Sequence, residues 1–477
     1  MHMRMLTAAA AFTLGAASPA QADLSIAKSP TKNVSCTGGT CVATARHAIM
    51  NLADLQNLLA SRPAVSLDAG PASAIAIDAA LTWTSNATLS LTAQSSLTVN
   101  RPVTVAGSGG VIIQTADGGL SFAPKASLSF WSLTSALTIN NVPYRLAGDL
   151  KTLSYDLAHQ GATAGALASD YDASVDGAYS GSPIGYLEGH QHLEGLGHAI
   201  SHLTVGLGSG LADSSDGRLT NLHLTDAVIY YSDVSGGVVG RNRGIIDHVS
   251  VSGILNGRSG WEIGGLVVEN DSGGTIRNSW AKVKIPLGGY VQTGGLAAVN
   301  SGTISNSWAD GTVRGMGVAT DAQGGMVGFN GGRIENSYSL ADTRFCAQCK
   351  FETAHGGLIG ETWATSKVVS SYAAGRTAPP RGNFSRNTPC DAAVNVAGAV
   401  VGCDAIDSAF RSTYWVTDSS RHNPKQPAGN KREVAGVAGL TEAQLKAALP
   451  PGLDPKIWGQ SPNINNGYPY LLSNPPE

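Results

Sequence analysis

The densest concentration of side chains able to do chemistry is the run Glu188-Gly-His190-Gln-His192-Leu-Glu194-Gly-Leu-Gly-His198-Ala-Ile-Ser-His202. A His-x-His pair flanked by further histidine and glutamate supplies the nitrogen and oxygen donors that a zinc ion takes. Against a metal site, His202 and His248 fall in a recurring column that elsewhere holds Asn221, Asn278 and Asn306. They therefore read as turn residues, and the cluster loses its far member. Asp170, Asp172 and Asp176-Gly177 are spaced like the opening of a calcium loop. Ser174 and Gly181 stand where such a loop needs its third ligand and its closing glutamate. The chain has no His-Glu-x-x-His, no Gly-x-Ser-x-Gly and no phosphate-binding loop of the Walker type. The expectation is no catalytic residue, no metal ligand and no cofactor.

The elements that carry these residues are set by a repeat. GGVVGRNRGIIDHVSV begins at Gly236, GGLVVENDSGGTIRNSWA at Gly264 and GGLAAVNSGTISNSWA at Gly294. GGMVGFNGGRIENSYS follows at Gly324 and GGLIGETWATSKVVSSYA at Gly356. A unit of about thirty residues, rich in β-branched pairs and glycine, with no helical periodicity, predicts short strands in stacked coils. Each coil would pair its backbone with the coils above and below at about 4.8 Å.

Aligned, the repeats give three columns. Ile200, Leu219, Ile246, Ile276, Ile304, Ile334, Val368 and Phe410 read as core. Between the first and second columns stand Asp247, Arg277 and Glu335, expected to face water. The second column holds His202, Asn221, His248, Asn278, Asn306, Asn336, Ser370 and Ser412, which suits a bend in the left-handed region. The third is aromatic: Trp280, Trp308, Tyr338, Tyr372 and Tyr414. A bend resets strand parity, so the column could point inward or present a ligand-stacking ladder.

The chain has 477 residues, 14% of them charged, 59 glycines and a net charge of −3. No basic patch stands out, which argues against nucleic acid as a partner. Residues 1–22 read as a secretory signal peptide, with Arg4, an apolar stretch from Leu6 to Ala17, and Ala20-Gln21-Ala22 before Asp23. No other segment is long and apolar enough to span a bilayer. Six cysteines fall in three close pairs, Cys36/Cys41, Cys346/Cys349 and Cys390/Cys403, read as loop staples of an exported protein with local pairing preferred.

Residues 23–147 are expected to form a lead-in, with a short helix near 51–60, and a first β-helical section of alternating strands. Residues 148–190 read as a helical insertion or connection, and 191–420 as the repeat array. Residues 421–477 read as a loop and a C-terminal cap, with Thr441 starting a helix.

The GG…G-x-I-x-N-S-Y/W sentence resembles the GLUG repeat of bacterial exported proteins. The N-terminal alternating section is similar to the β-helical parts of filamentous-haemagglutinin-type proteins, and LTEAQLKAALPPGLDPKIWGQSPNINNGYPYLL to the tail of GLUG-bearing chains. The resemblance covers about residues 50–474. It implies an all-β, right-handed parallel β-helix, secreted or displayed at the cell surface and adhesin-like. Its partners would be surface glycans or other surface macromolecules. The longer connections near 344–355 and 377–397, where Cys346/Cys349 and Cys390/Cys403 sit, are separately expected to form the binding region. The alternatives are a structural surface-layer component, or a polysaccharide-degrading β-helix enzyme using Lys282, Lys284, Asp310 and Arg314 across adjacent coils. Oligomeric state stays open.

Overall fold

The computed structural model describes residues 24–476 apart from 71–72, 160–162, 231–233, 257–261, 287–291, 315–320, 345–352, 364, 378–395, 405–407 and 419–425. The expected signal peptide and the Cys346/Cys349 pair lie outside the described residues, as does most of the two expected binding loops. The chain is a parallel β-solenoid of about 13 turns.

In the N-terminal section, alternation of apolar and polar residues produces strands with one buried face. Leu89 and Leu91 of Thr88–Thr92 point into the core, as do Val103 and Val105 of Val103–Val105. Three faces form, and their strands pair in register with those of the neighbouring coils. Helix α1 (Leu52–Ser61) starts at Asn51, whose side chain accepts from the amides of Ala53 and Asp54, and it buries Leu55 and Leu59. Cys36 and Cys41 face each other across a hairpin and form a disulfide.

The second section begins with a reversal. Leu137–Ile139 turns through Asn140 and Asn141, both left-handed at φ 48° and 64°, into the antiparallel strand Val142–Ala147. Two consecutive left-handed residues make the tight hairpin that strand twist favours. Val142–Ala147 then pairs parallel with Ala164–Leu167, which opens the second stack. Helix α2 (Leu150–His159), capped by Asp149 onto Thr152, lies between them and buries Leu150, Leu153 and Leu157. The segment expected as an insertion therefore holds, besides this helix, strands that already belong to the coils.

Each coil of the second section has three faces. The GG pairs end one face and start the next. A Cβ on Gly264 would sit 1.6 Å from the Val267 carbonyl oxygen, and one on Gly265 1.8 Å from that of Gly295. Only a residue without a side chain fits such a corner. Six residues after each GG start, Asn242, Asn270, Asn300 and Asn330 stack in a fully buried column. Each amide donates to the next at 2.7–2.8 Å, and Asn330 ends the row on Ser366 at 2.6 Å. A second row runs through Ser279, Ser307, Ser337 and Ser371, whose hydroxyls accept from backbone amides of the preceding coil.

The third face carries the three columns. The apolar column from Leu219 to Phe410 is in register and buried. The bend column takes φ between 46° and 55°, from Asn221 and His248 through Ser412. One assignment is corrected. Ser201 pairs with Thr225, so His202 belongs beside Asp226 and not Asn221, while left-handed Leu196 occupies the earlier corner. The first coil is one corner out because its bend residue is a leucine, which carries no turn signal.

Candidate functional site

The aromatic column points outward, since its neighbours Ala281 and Val283 fill the interior. It is nonetheless covered. The C-terminal segment first adds the strand Val437–Leu440 to the last coil, then α3 (Glu442–Ala447), begun by a capping box at Thr441 and Gln444. From there it runs back across the ladder. Tyr414 donates to the Pro451 carbonyl and Tyr372 to that of Pro469 at 2.6 Å. Trp308 Nε1 donates to the Asn474 carbonyl at 3.1 Å. Asn474 in turn reaches the Ser279 and Asn306 carbonyls. Trp458 is inserted against Tyr338 and Tyr372, with ring centres 5.9 and 5.8 Å apart. The segment is a strap along the stack as well as an end cover.

The rings stack coil upon coil: Trp280 on Trp308 at 4.8 Å and 7°, Trp308 on Tyr338 at 6.0 Å, Tyr338 on Tyr372 at 5.0 Å and 2°. Register extends the same column backwards from Trp280 to Ser250 and His223. The end of the strap lies against these last positions without filling the space between. There a cleft of about 430 Å³ opens between the ladder face and Asn463, Asn465 and Asn466 of the strap, with Trp280, Lys282 and Asp310 on its walls. Lys282 and Asp310 are 3.6 Å apart. A narrower hollow continues from His223, Ser250 and Trp280 to Asn221, His248 and Pro475. A third, of about 160 Å³, joins it at Asn221 and lies against the N-terminal section.

That third hollow holds the strongest electrostatics. Glu194 is buried and accepts from Thr220, Asn221 and the Leu196 amide, yet loss of water pushes its carboxyl up to about 7. Asp247 was expected to face water. It is 2% exposed, because the loop at Asp117–Gly118 from the first section lies over it. Arg277, His248 and Asn278 each contact it at 2.8–2.9 Å, and together they hold its carboxyl below the usual range despite burial. Asp117 pairs with Arg218, and Tyr144 meets His192 Nδ1 at 3.2 Å. Burial pushes the Tyr144 phenol up and the His192 imidazole down.

The histidine-rich run does not assemble. His190 pairs with Glu188 at the surface, His192 with Tyr144, His198 with Asp170 and the Leu128 carbonyl, and His202 with Asp172. Among the described residues no three His, Cys, Asp or Glu side chains converge. Asp172 caps a 3₁₀ turn, and Asp176 accepts from Tyr171 and Tyr179 beside Lys151. Lys284 lies in register with Thr312, and Arg314 with Arg344, away from the cleft. Sequence reasoning named Trp280, Lys282 and Asp310 but missed Glu194 as a buried acid and the contribution of the strap. The contact between 463–476 and residues 279–310 has no local signature.

The fold and the cleft define the class, a parallel β-solenoid with a lateral groove roofed by its own C-terminal strap. No family model matches the chain. Ninety residues are 38% identical to Halomucin of Haloquadratum walsbyi, which is 18% of this chain and 1% of that protein's length. A crystal structure of an immunoglobulin A1 protease candidate from Bacteroides ovatus is 17% identical, with a TM-score of 0.38 over 65% of this chain and 86% of the other. No helix among the described residues is long and apolar enough to cross a membrane.

Proposed function

We propose that this is an exported or surface-displayed, adhesin-like protein of the GLUG-repeat kind that binds glycans in the lateral groove and does not cleave them. The observation that carries the reading is the cleft itself. It joins the end of an aromatic ladder to amides and a charge pair, the mixture of apolar face and hydrogen-bonding rim that carbohydrate demands. The Cys36–Cys41 disulfide supports export, since such bonds persist in oxidising compartments. Binding without cleavage is favoured because the acids near the groove are engaged: Asp310 by Lys282, and Asp247 by Arg277 and His248.

A polysaccharide-degrading enzyme is the second reading, and Glu194 is what favours it. A buried carboxyl titrating at about 7 matches a general acid. The test is cosedimentation of the full chain with cellulose, chitin, xylan and peptidoglycan, scoring released reducing ends in the same tubes. Retention on at least one without release is expected. Release supports the enzyme reading, and no retention on any member removes the glycan reading.

A further inference from the structure

The ring ladder has a defined gap. Its register column reads His223, Ser250, Trp280, Trp308, Tyr338, Tyr372, Tyr414. From Trp280 onward every coil contributes a ring, and Trp280 lies 4.8 Å from Trp308. At the next coil the ring is missing, because Ser250 is a serine whose hydroxyl is 2.7 Å from His223 Nδ1. His223 stands one coil further. Two coil steps separate Trp280 from His223, about 9.6 Å at the ordinary strand spacing, which leaves room for one ring at normal stacking distance on each side. Two hollows of the groove meet here, and the three residues they share are His223, Ser250 and Trp280.

We infer that the gap at Ser250 is a subsite for one pyranose ring of a glycan chain, stacked on the face of Trp280 turned away from Trp308. This rests on the glycan-binding reading and names its central contact. A pyranose presents apolar C–H faces and a rim of hydroxyls. The slot has the complementary distribution, an indole face on one wall and polar groups around it. Asn221, 3% exposed, donates its amide to Glu194, while its Oδ1 is buried without a hydrogen-bond partner at the edge of the slot. A sugar hydroxyl would satisfy it. An aromatic side chain from a protein partner would fill the volume but bring that acceptor no donor, whereas a sugar hydroxyl brings one. Neutral glycans are favoured over strongly acidic ones. Lys282 is matched by Asp310, and burial pushes His223 down to about 4, so it carries no charge near neutrality.

The test uses the full chain with cellohexaose, chitohexaose, xylohexaose and maltohexaose, and with N-acetyl-tryptophanamide as an aromatic probe, followed by saturation-transfer NMR. At least one hexaose should bind with transfer concentrated on a single ring. Ser250→Trp, which completes the ladder, and Trp280→Ala, which removes its platform, should each weaken that binding by at least about tenfold. Near-UV circular dichroism reports whether the strap remains docked in each variant. Unchanged binding by both folded variants overturns the subsite while the glycan reading stands. So does retention on a polysaccharide with no hexaose bound, or binding of the tryptophan amide alone. Absence of both hexaose binding and polysaccharide retention overturns the two together.

Discussion

At the residue scale, Glu194 is an acid held where burial disfavours its charged form. Its folded-state pKa of about 7 lies above the ordinary 4.5, so the folded chain holds the proton more tightly than the unfolded one. Its contribution is therefore most favourable below about pH 4.5 and is lost as the pH rises through about 7. His223 and His355 act the other way, since burial pushes them down to about 4 and about 3 and stability falls as they are forced to charge. Glu194→Gln keeps the shape and removes one titration. Thermal unfolding at about pH 5 and about pH 8 should show a smaller fall in Tm for the variant than for the wild type. Equal falls would contradict the assignment.

The residue types also show what was legible. Asparagine, histidine and serine at 221, 248, 278, 306, 336, 370 and 412 announce a bend because they tolerate the left-handed region, and all are left-handed. Asp247 announces a surface and is buried, because what covers it lies 130 residues earlier at Asp117–Gly118. Burial by a distant loop leaves no trace in local spacing.

At the element scale, the coil repeat was legible in full outline because the glycine corners recur with it. The buried asparagine row was present in four of the five GG sentences but carries no periodicity that separates an inward amide from an outward one. Its energetics are specific. Asn300 donates to Asn330 at 2.7 Å and accepts from Asn270 at 2.8 Å, with no exposure. Asn300→Ala takes a partner from both neighbours and leaves the Asn330 amide oxygen without its donor, and should lower stability by about 1–3 kcal/mol in urea unfolding. A loss below about 0.5 kcal/mol would mean the row is not a cooperative network. The strap makes a separate prediction. It is held by Trp458 against the ladder and by hydrogen bonds from Tyr372, Trp308 and Asn474. Truncation after Leu440 should expose the ring column, raise binding of a hydrophobic dye and red-shift tryptophan emission. A truncated chain with unchanged emission and no dye binding would show that the strap does not shield the ladder.

At the scale of the whole molecule, two stacks meet at one hairpin and the C-terminal segment folds back toward that junction. Phe122 and Pro124 of the first section, Trp280 of the second and Pro475 of the strap all line one hollow. Three parts remote in sequence converge where the ladder ends, which is why the groove could not be read from any one stretch. The solenoid's regularity supplies the platform, and its one irregular column position supplies the opening. The most direct test is side-by-side cosedimentation of the wild type and Ser250→Trp with whichever polysaccharide retains the wild type, with reducing ends assayed in the supernatant. The account predicts that the wild type is held, the variant washes through, and neither releases sugar ends. Equal retention of the two proteins, or release of ends by the wild type, would contradict it.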